Sequence, residues 1–369
     1  MKNKICCIFN VAPHYNAPIY RLMDSELKCD FYLGDQLEYP IELMKYDSLK
    51  GYKKTLKNKS LFRNFYWQKG AITLSLKPYK YYILTGEPYC LSTWVILLLN
   101  RLTVKKSIVW THGWYGNETG LKKIVKKLFF YLSNKILLYG DYAKNLMTEE
   151  GFNENKLICI YNSMDYDTQY KVRLKLKRTN VFVDKFNNNN PVLIYIGRIQ
   201  KRKKLNFILE AISILKNEGL NLNFLVIGKD DEDTGLEKII SKYNLEENTW
   251  LYGPCYDEQE IGNLFYNSTV CVSPGNVGLT AIHSLMYGTP IITHNNFSKQ
   301  MPEFESISEG KTGAFFKEDD IISLVNVIKN WIEKNTDNRE DIRYEAYKII
   351  DEKYNPYYQI KILKTLLTK

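Results

Sequence analysis

Apolar residues along the chain gather in runs of four to seven, and between these runs they recur at three- and four-residue spacing. The short runs predict buried strands and the spaced stretches predict amphipathic helices of 10 to 15 residues. In the first half, strands are expected at ICCIFNV, at CDFYL over 29–33, at YYILTG over 81–86, at SIVWTHG over 107–113, at KILLYG over 135–140 and at KLICIYN. Helices are expected from about Ala17, over 91–102, from about Thr119 and over 141–150. The second half repeats the alternation from PVLIYIG at 191–197 through NLNFLVIG, TWLYG and TVCVSP, with a helical pattern after each of the first three. From Asp319 three further helical patterns follow, the last two separated at Pro356. Strands that alternate with helices imply parallel pairing, so the expected class is α/β with doubly wound sheets.

Two stretches depart from this rhythm. Over residues 40–80, Tyr52, Leu56, Leu61, Phe62, Tyr66 and Trp67 are interleaved with Lys50, Lys53, Lys54, Lys57, Lys59 and Arg63, with no clean period. This reads as a peripheral excursion or, alternatively, as a surface that places aromatics among lipid headgroups. The other stretch, KVRLKLKRTNVFVDKFNNNN at 171–190, is basic and then Asn-rich, and it suggests a linker. The expected organisation is therefore a first domain over 1–170, the linker, a second domain over 191–352, and a final helix over 353–369 that crosses back to the first domain. Two α/β halves of this kind imply a cleft at the carboxyl ends of their strands.

A chain of 369 residues that is 45% hydrophobic and 25% charged can bury two sizeable cores. The apolar run near Trp94–Leu99 is well short of the about 20 residues that a spanning helix needs. The opening MKNKICCIFN has no signal-peptide pattern, so the expected place is the cytoplasm. Seven cysteines without a CxxC pair read as reduced and structural.

Charge is uneven: residues 1–170 carry 24 Lys+Arg against 15 Asp+Glu, residues 171–180 carry 5 against none, and residues 181–369 carry 22 against 26. A basic, aromatic first half suits an anionic partner such as phospholipid headgroups or a lipid-linked phosphate, and it carries no recognised nucleic-acid motif. In LKKIVKKLFFYL, apolar residues at 121, 124, 125, 128, 129 and 132 make one face, and Lys122, Lys123, Lys126 and Lys127 make the other. The lysine face, with Trp67 of the interleaved stretch, is the expected contact with an acceptor or with the inner face of the plasma membrane.

The candidate chemistry lies in the second half. CVSPGNVGLTAIHSLMYGTP at 271–290 reads as a strand, a Gly-containing turn and a helix from about Leu279, whose first N–H groups could face a phosphate. Arg198, and past it Lys203, follow an earlier strand end and could neutralise a diphosphate leaving group. No metal-ligand spacing stands out, and no cofactor is expected.

Over most of residues 191–316 the chain resembles glycosyltransferase family 4, through GRIQKRKK, LYGPC, HSLMYGTP and PEFESISEGKTGAFF, with IYNSMD and SIVWTH in the first half. The resemblance implies a GT-B fold, two Rossmann-like domains facing a cleft, and transfer of a sugar from a nucleotide-sugar co-substrate with retention and without a metal. It assigns catalytic roles to Arg198, Lys203, His112, Glu303 and Glu305. The donor would meet Gly197, Gly228, Gly253, Pro254, Asn276, Val277, Gly278, Leu279, Thr280 and His283. His112 could instead merely cap its strand. The family's paired glutamates, eight residues apart, are replaced by Gly275 and His283. Asn276, the backbone, Glu303 or Glu305 would then supply the sugar contact, and His283 either bonds the ribose or is a packed helix histidine.

The function expected is transfer to a saccharide or polyprenyl-linked acceptor in cell-surface glycan synthesis. The alternatives are a catalytically silent nucleotide-sugar-binding subunit and an epimerase of the same fold.

Overall fold

The computed structural model describes residues 5–36, 41–335 and 338–368, so residues 1–4, which lead into the first expected strand, lie outside it. The chain forms two compact units, one of residues 1–165 with 355–369 and the other of residues 166–354.

The first unit runs β1 (Ile5–Phe9), α1 (Ala17–Leu22), β2 (Asp30–Gly34), β3 (Tyr52–Phe62), β4 (Phe65–Lys69), β5 (Tyr81–Thr85), α2 (Leu91–Arg101), β6 (Lys106–Thr111), α3 (Gly120–Leu132), β7 (Lys135–Leu138), α4 (Asp141–Glu149) and β8 (Leu157–Cys159). Among the described residues its strands order as β4-β3-β2-β1-β5-β6-β7-β8. The order steps outward from β1 in both directions, as right-handed crossovers require. Cys7, Phe9, Phe31, Leu33 and Ile83 are buried in the core on one face of this sheet, and Cys6, Ile8, Tyr32, Tyr82 and Leu84 in that on the other, hence the continuous apolar runs in the sequence.

Residues 52–69, expected as an excursion, are a β-hairpin added to this sheet. β3 is parallel to β2 and β4 antiparallel to β3, so the sheet is mixed at this edge. Of β3, Leu56 alone is buried, and this lack of a buried alternating face is why the stretch shows no period. Its lysines suit an edge that must not pair further.

The face of α3 is also turned about. Phe129 and Phe130 pack inward, but Leu121, Ile124, Val125 and Leu128 are exposed, whereas Lys126 is drawn in against Glu118 and over the rings of Trp114 and Tyr115, each about 5.1 Å away. Lys123 and Lys127 both reach Glu150, at 2.6 and 3.8 Å. Carboxylates from outside the helix thus hold three of the four lysines, and Lys122 remains exposed.

The second unit begins with α5 (Tyr166–Arg173) and α6 (Val181–Phe186), then runs β9 (Val192–Ile196), α7 (Leu205–Asn217), β10 (Asn223–Ile227), α8 (Leu236–Lys242), β11 (Thr249–Gly253), α9 (Glu258–Asn267), β12 (Val270–Ser273), α10 (Leu279–Met286), β13 (Ile291–His294), β14 (Gly313–Phe316), α11 (Ile321–Asn335) and α12 (Arg339–Glu352). Its described strands are all parallel, in the order β11-β10-β9-β12-β13-β14. Residues 171–190 are therefore not a free linker: α5 and α6 pack on α9, and Val172, Phe182 and Phe186 are buried beneath the basic side chains that dominate the sequence there.

The final helix, α13 (Pro356–Thr368), packs on α1, and Ile360, Leu363 and Leu367 join the first unit's core. Among the described residues no helix is long and apolar enough to cross a membrane. Among the described residues no disulfide is formed, and five of the seven cysteines are buried.

Candidate functional site

The carboxyl ends of β9, β10 and β11 meet in glycines. Gly197 donates its N–H to the Ile227 carbonyl at 3.0 Å, and Gly228 donates to that of Gly253 at 2.9 Å. The backbones run so close that a Cβ at Gly228 would lie 1.9 Å from the Gly197 oxygen. Beside them a cavity of about 660 Å³ opens, lined among others by Ile199, Gly228, Asp230, Tyr252 and Gly253. That is room for a nucleoside-sized ligand. Pro254 follows, exposed.

After Gly197 the chain passes through exposed Arg198 into a short 3₁₀ turn, Lys201–Lys203. There the basic loop meets the turn at the end of β12. The Lys203 Nζ donates to the Asn276 carbonyl at 2.6 Å and to its Oδ1 at 3.0 Å, while Gly275 donates its N–H to the Lys203 carbonyl at 3.1 Å. A Cβ at position 275 would sit 2.2 Å from the Arg202 oxygen and 2.7 Å from the Lys203 Cα. A glutamate at 275 is thus excluded by backbone.

The rest of the turn is held firmly. Val277 is buried and gives its N–H to Gln300 Oε1 at 2.7 Å, and Gln300 is fixed in turn by Thr293 and the His294 carbonyl. Thr280 bonds the Ile196 carbonyl at 3.1 Å, which ties α10 to the end of β9. Gly278 caps α10, and the first-turn amides at Leu279 and Thr280 have no partner within the helix by its geometry.

Burial foremost, then the neighbouring Arg202 and Arg198, pushes the Lys203 ammonium down to about 8, with Glu303 opposing. Glu303 is buried on the turn Pro302–Ser306, and Glu305 is half-buried on the same turn. Arg198, Lys203, Asn276 and Glu303 are therefore in one electrostatic neighbourhood at the carboxyl ends of the central strands β9 and β12. Among the described residues no group of three His, Cys, Asp or Glu side chains is placed to hold a metal ion.

For His283 the sequence leaves two readings, a ribose contact or a packed helix histidine. Its ring is buried on α10, and Nε2 donates to Glu258 Oε1 at 2.7 Å. The same oxygen accepts from the Tyr287 hydroxyl and from Gln169 Nε2 at 3.1 Å, and Phe265 lies 5.3 Å from the imidazole centroid. Burial works to raise the Glu258 pKa, but the His283 bond and charge, helped by Tyr287 and Gln169, outweigh it and bring it to about 2. This is the packed-histidine arrangement, and Glu258 is its unforeseen partner. The sequence signal was the His283/Tyr287 pair, four apart on one face of a helix.

In the first unit, His112 follows β6, its ring 4.9 Å from Tyr139 and 6.3 Å from Tyr115. Burial, with a smaller push from Lys126, lowers its pKa to about 4, so it is neutral at pH 7. Trp67 is half-buried on β4 opposite Lys59 of the hairpin, in a different element from the α3 lysines.

Residues 177–349 match the family described as glycosyl transferases group 1. The chain is 22% identical over 238 residues to the capsular polysaccharide biosynthesis glycosyltransferase CapM of Staphylococcus aureus, a match over 63% of this chain and 60% of CapM. Among solved structures, Anabaena Alr3699/HepE in complex with UDP superposes with a TM-score of 0.70 at 14% identity, covering 99% of this chain and 100% of that one. The apo lipopolysaccharide outer core galactosyltransferase WaaB gives 0.71 at 13% identity, covering 99% of each chain. The two Rossmann-like units have the GT-B fold, and residues 177–349 are the stretch that is similar to the glycosyl transferases group 1 family.

Proposed function

We propose that the chain is a retaining, metal-independent glycosyltransferase of family 4 that moves a hexose from a nucleotide sugar to a saccharide or lipid-linked saccharide acceptor. Its place would be the cytoplasmic side of cell-surface polysaccharide synthesis. The observation that carries this reading is the meeting of Lys203 with the Asn276 turn, beside Arg198 and next to a nucleoside-sized cavity. Like charges and burial depress Lys203, and a diphosphate among them would reverse that cost as its charge grows on departure of the sugar. Each such donor supplies about 3 kcal/mol in comparable sites. Neutral His112 suits a hydrogen bond to a sugar hydroxyl better than a proton transfer at pH 7. The names of the relatives support the same direction: CapM is named a capsular polysaccharide biosynthesis glycosyltransferase, and HepE is found in complex with UDP and with UDP-glucose.

The test is nucleotide binding by calorimetry over a panel of nucleoside diphosphates and their sugars, followed by turnover with the donor that binds. In the free protein Lys203 loses its proton near pH 8, and a bound diphosphate raises that pKa. Affinity should hold below about pH 8 and fall as pH rises above it, and Lys203→Met should weaken binding and remove this dependence. Arg198→Ala should lower turnover about 10²-fold with the fold intact. Nucleotide binding without turnover on any acceptor would instead make the chain a silent donor-binding subunit.

A further inference from the structure

Helix α3 shows water the side that a surface helix normally hides. Leu121 is 75% exposed, and Ile124 and Leu128 are each 56% exposed, with Val125 beside them. Their spacing makes one apolar stripe along a helix of 13 residues, about 20 Å long. The stripe does not stand alone. The Arg101 guanidinium bonds the Tyr131 carbonyl at 3.2 Å and fastens the end of α2 to the end of α3, and there Leu98, Leu102 and Val104 are exposed as well. Scattered surface leucines need no explanation, whereas a continuous row of this kind marks a contact surface.

We infer that this outward face of α3, with the neighbouring end of α2, docks the chain on an anionic lipid bilayer. The helix would lie in the interface plane, its leucines and isoleucine among the acyl chains, since no helix of the described residues can span. Charge selects the occupant. The first unit carries 27 Lys+Arg against 14 Asp+Glu, whereas the second carries 24 against 27. Exposed Lys122, Arg101 and Lys106 border the apolar row. Two copies meeting through this face would bring two strongly positive units together, while anionic headgroups complement them. The lysines that Glu118 and Glu150 hold back add to the unit's field without being the contact itself. The docking face is therefore the apolar one, the opposite of the lysine face expected from the sequence.

The test is flotation of the whole chain with vesicles of phosphatidylglycerol and phosphatidylcholine in equal parts, against phosphatidylcholine alone. The protein should float with the anionic vesicles and stay behind with the neutral ones. Ile124→Asp with Leu128→Asp should lower the vesicle partition coefficient about tenfold or more, at an unchanged melting temperature and with nucleotide binding intact. Leu121→Asp, at the most exposed position of the row, gives a second reading should the double variant fold poorly. Lack of binding to anionic vesicles overturns the inference, as does binding by the variants equal to that of the parent. A concentration-dependent dimer that these substitutions abolish, without vesicle binding, would assign the face to a second copy and also overturn it. Failure here leaves the proposed reaction untouched, because donor binding is read separately on the same variants.

Discussion

A side chain at position 275 would have nowhere to go. The Cβ would press on the Arg202 oxygen and the Lys203 Cα, both backbone atoms of the loop that carries the site's cations. The glutamate expected from the resemblance at this position is thus displaced by a direct loop-to-turn contact, and the loop gains a fixed seat through the Gly275 N–H and the Asn276 oxygens. Gly275→Ala should destabilise by about 2 kcal/mol or more and weaken nucleotide binding together, seen as a lower urea midpoint and a higher Kd. An unchanged midpoint would mean that the loop yields freely. In the sequence, Gly275 and Lys203 are each visible as candidates for a phosphate site, but nothing says that they touch. Their contact depends on β9 and β12 being neighbours in the sheet, and Gly228 is equally mute until Gly197 is placed beside it.

Between elements, one half-buried carboxylate joins α5, α9 and α10, since Glu258 accepts from Gln169, His283 and Tyr287. Here position 283 carries a base suited to that carboxylate, so restoring a glutamate at 283 alone would set two carboxylates face to face. His283→Glu should cost about 3 kcal/mol, and Glu258→Gln in that background should recover most of it, as a double-mutant cycle would measure. A neutral His283→Glu variant would remove Glu258 as the reason for the histidine. The contribution of ionised Glu258 should be complete above about pH 4.5 and vanish as pH falls toward 2. Helix periods were legible at this scale, but the inward side of α3 was not. Its two stripes are of similar width, and lysine stems can lie along the body of the protein once Glu118, just before the helix, and Glu150, well beyond it, receive their charges. Likewise α5 and α6 hide few apolar residues under many basic ones, and composition alone reads that as a linker.

For the whole molecule, strand and helix alternation foretold two α/β sheets because buried parallel strands leave long apolar runs. The hairpin at the first sheet's edge escaped because edge strands bury almost nothing. The division of the chain is nested, with residues 166–354 inserted between the body of the first unit and α13. Gln359 bonds the Tyr161 carbonyl at 2.8 Å and Ser163 at 2.7 Å, and Ile360, Leu363 and Leu367 fill the core beside α1. A chain cut after Tyr354 should keep a protease-resistant second unit and lose that resistance over residues 1–165, as limited digestion followed by mass spectrometry would show. Equal resistance in both would mean that α13 is dispensable.

That same return of α13 sets a timetable for the chain on the ribosome. Residues 1–165 emerge first, yet the helix that seals them against α1 follows only after residues 166–354 have been made. At roughly 5–20 residues per second the wait is about 10 to 40 s. The unit that is synthesised second is therefore the one that can finish folding first, and the nascent first unit must keep its unsealed apolar seat from strangers until then.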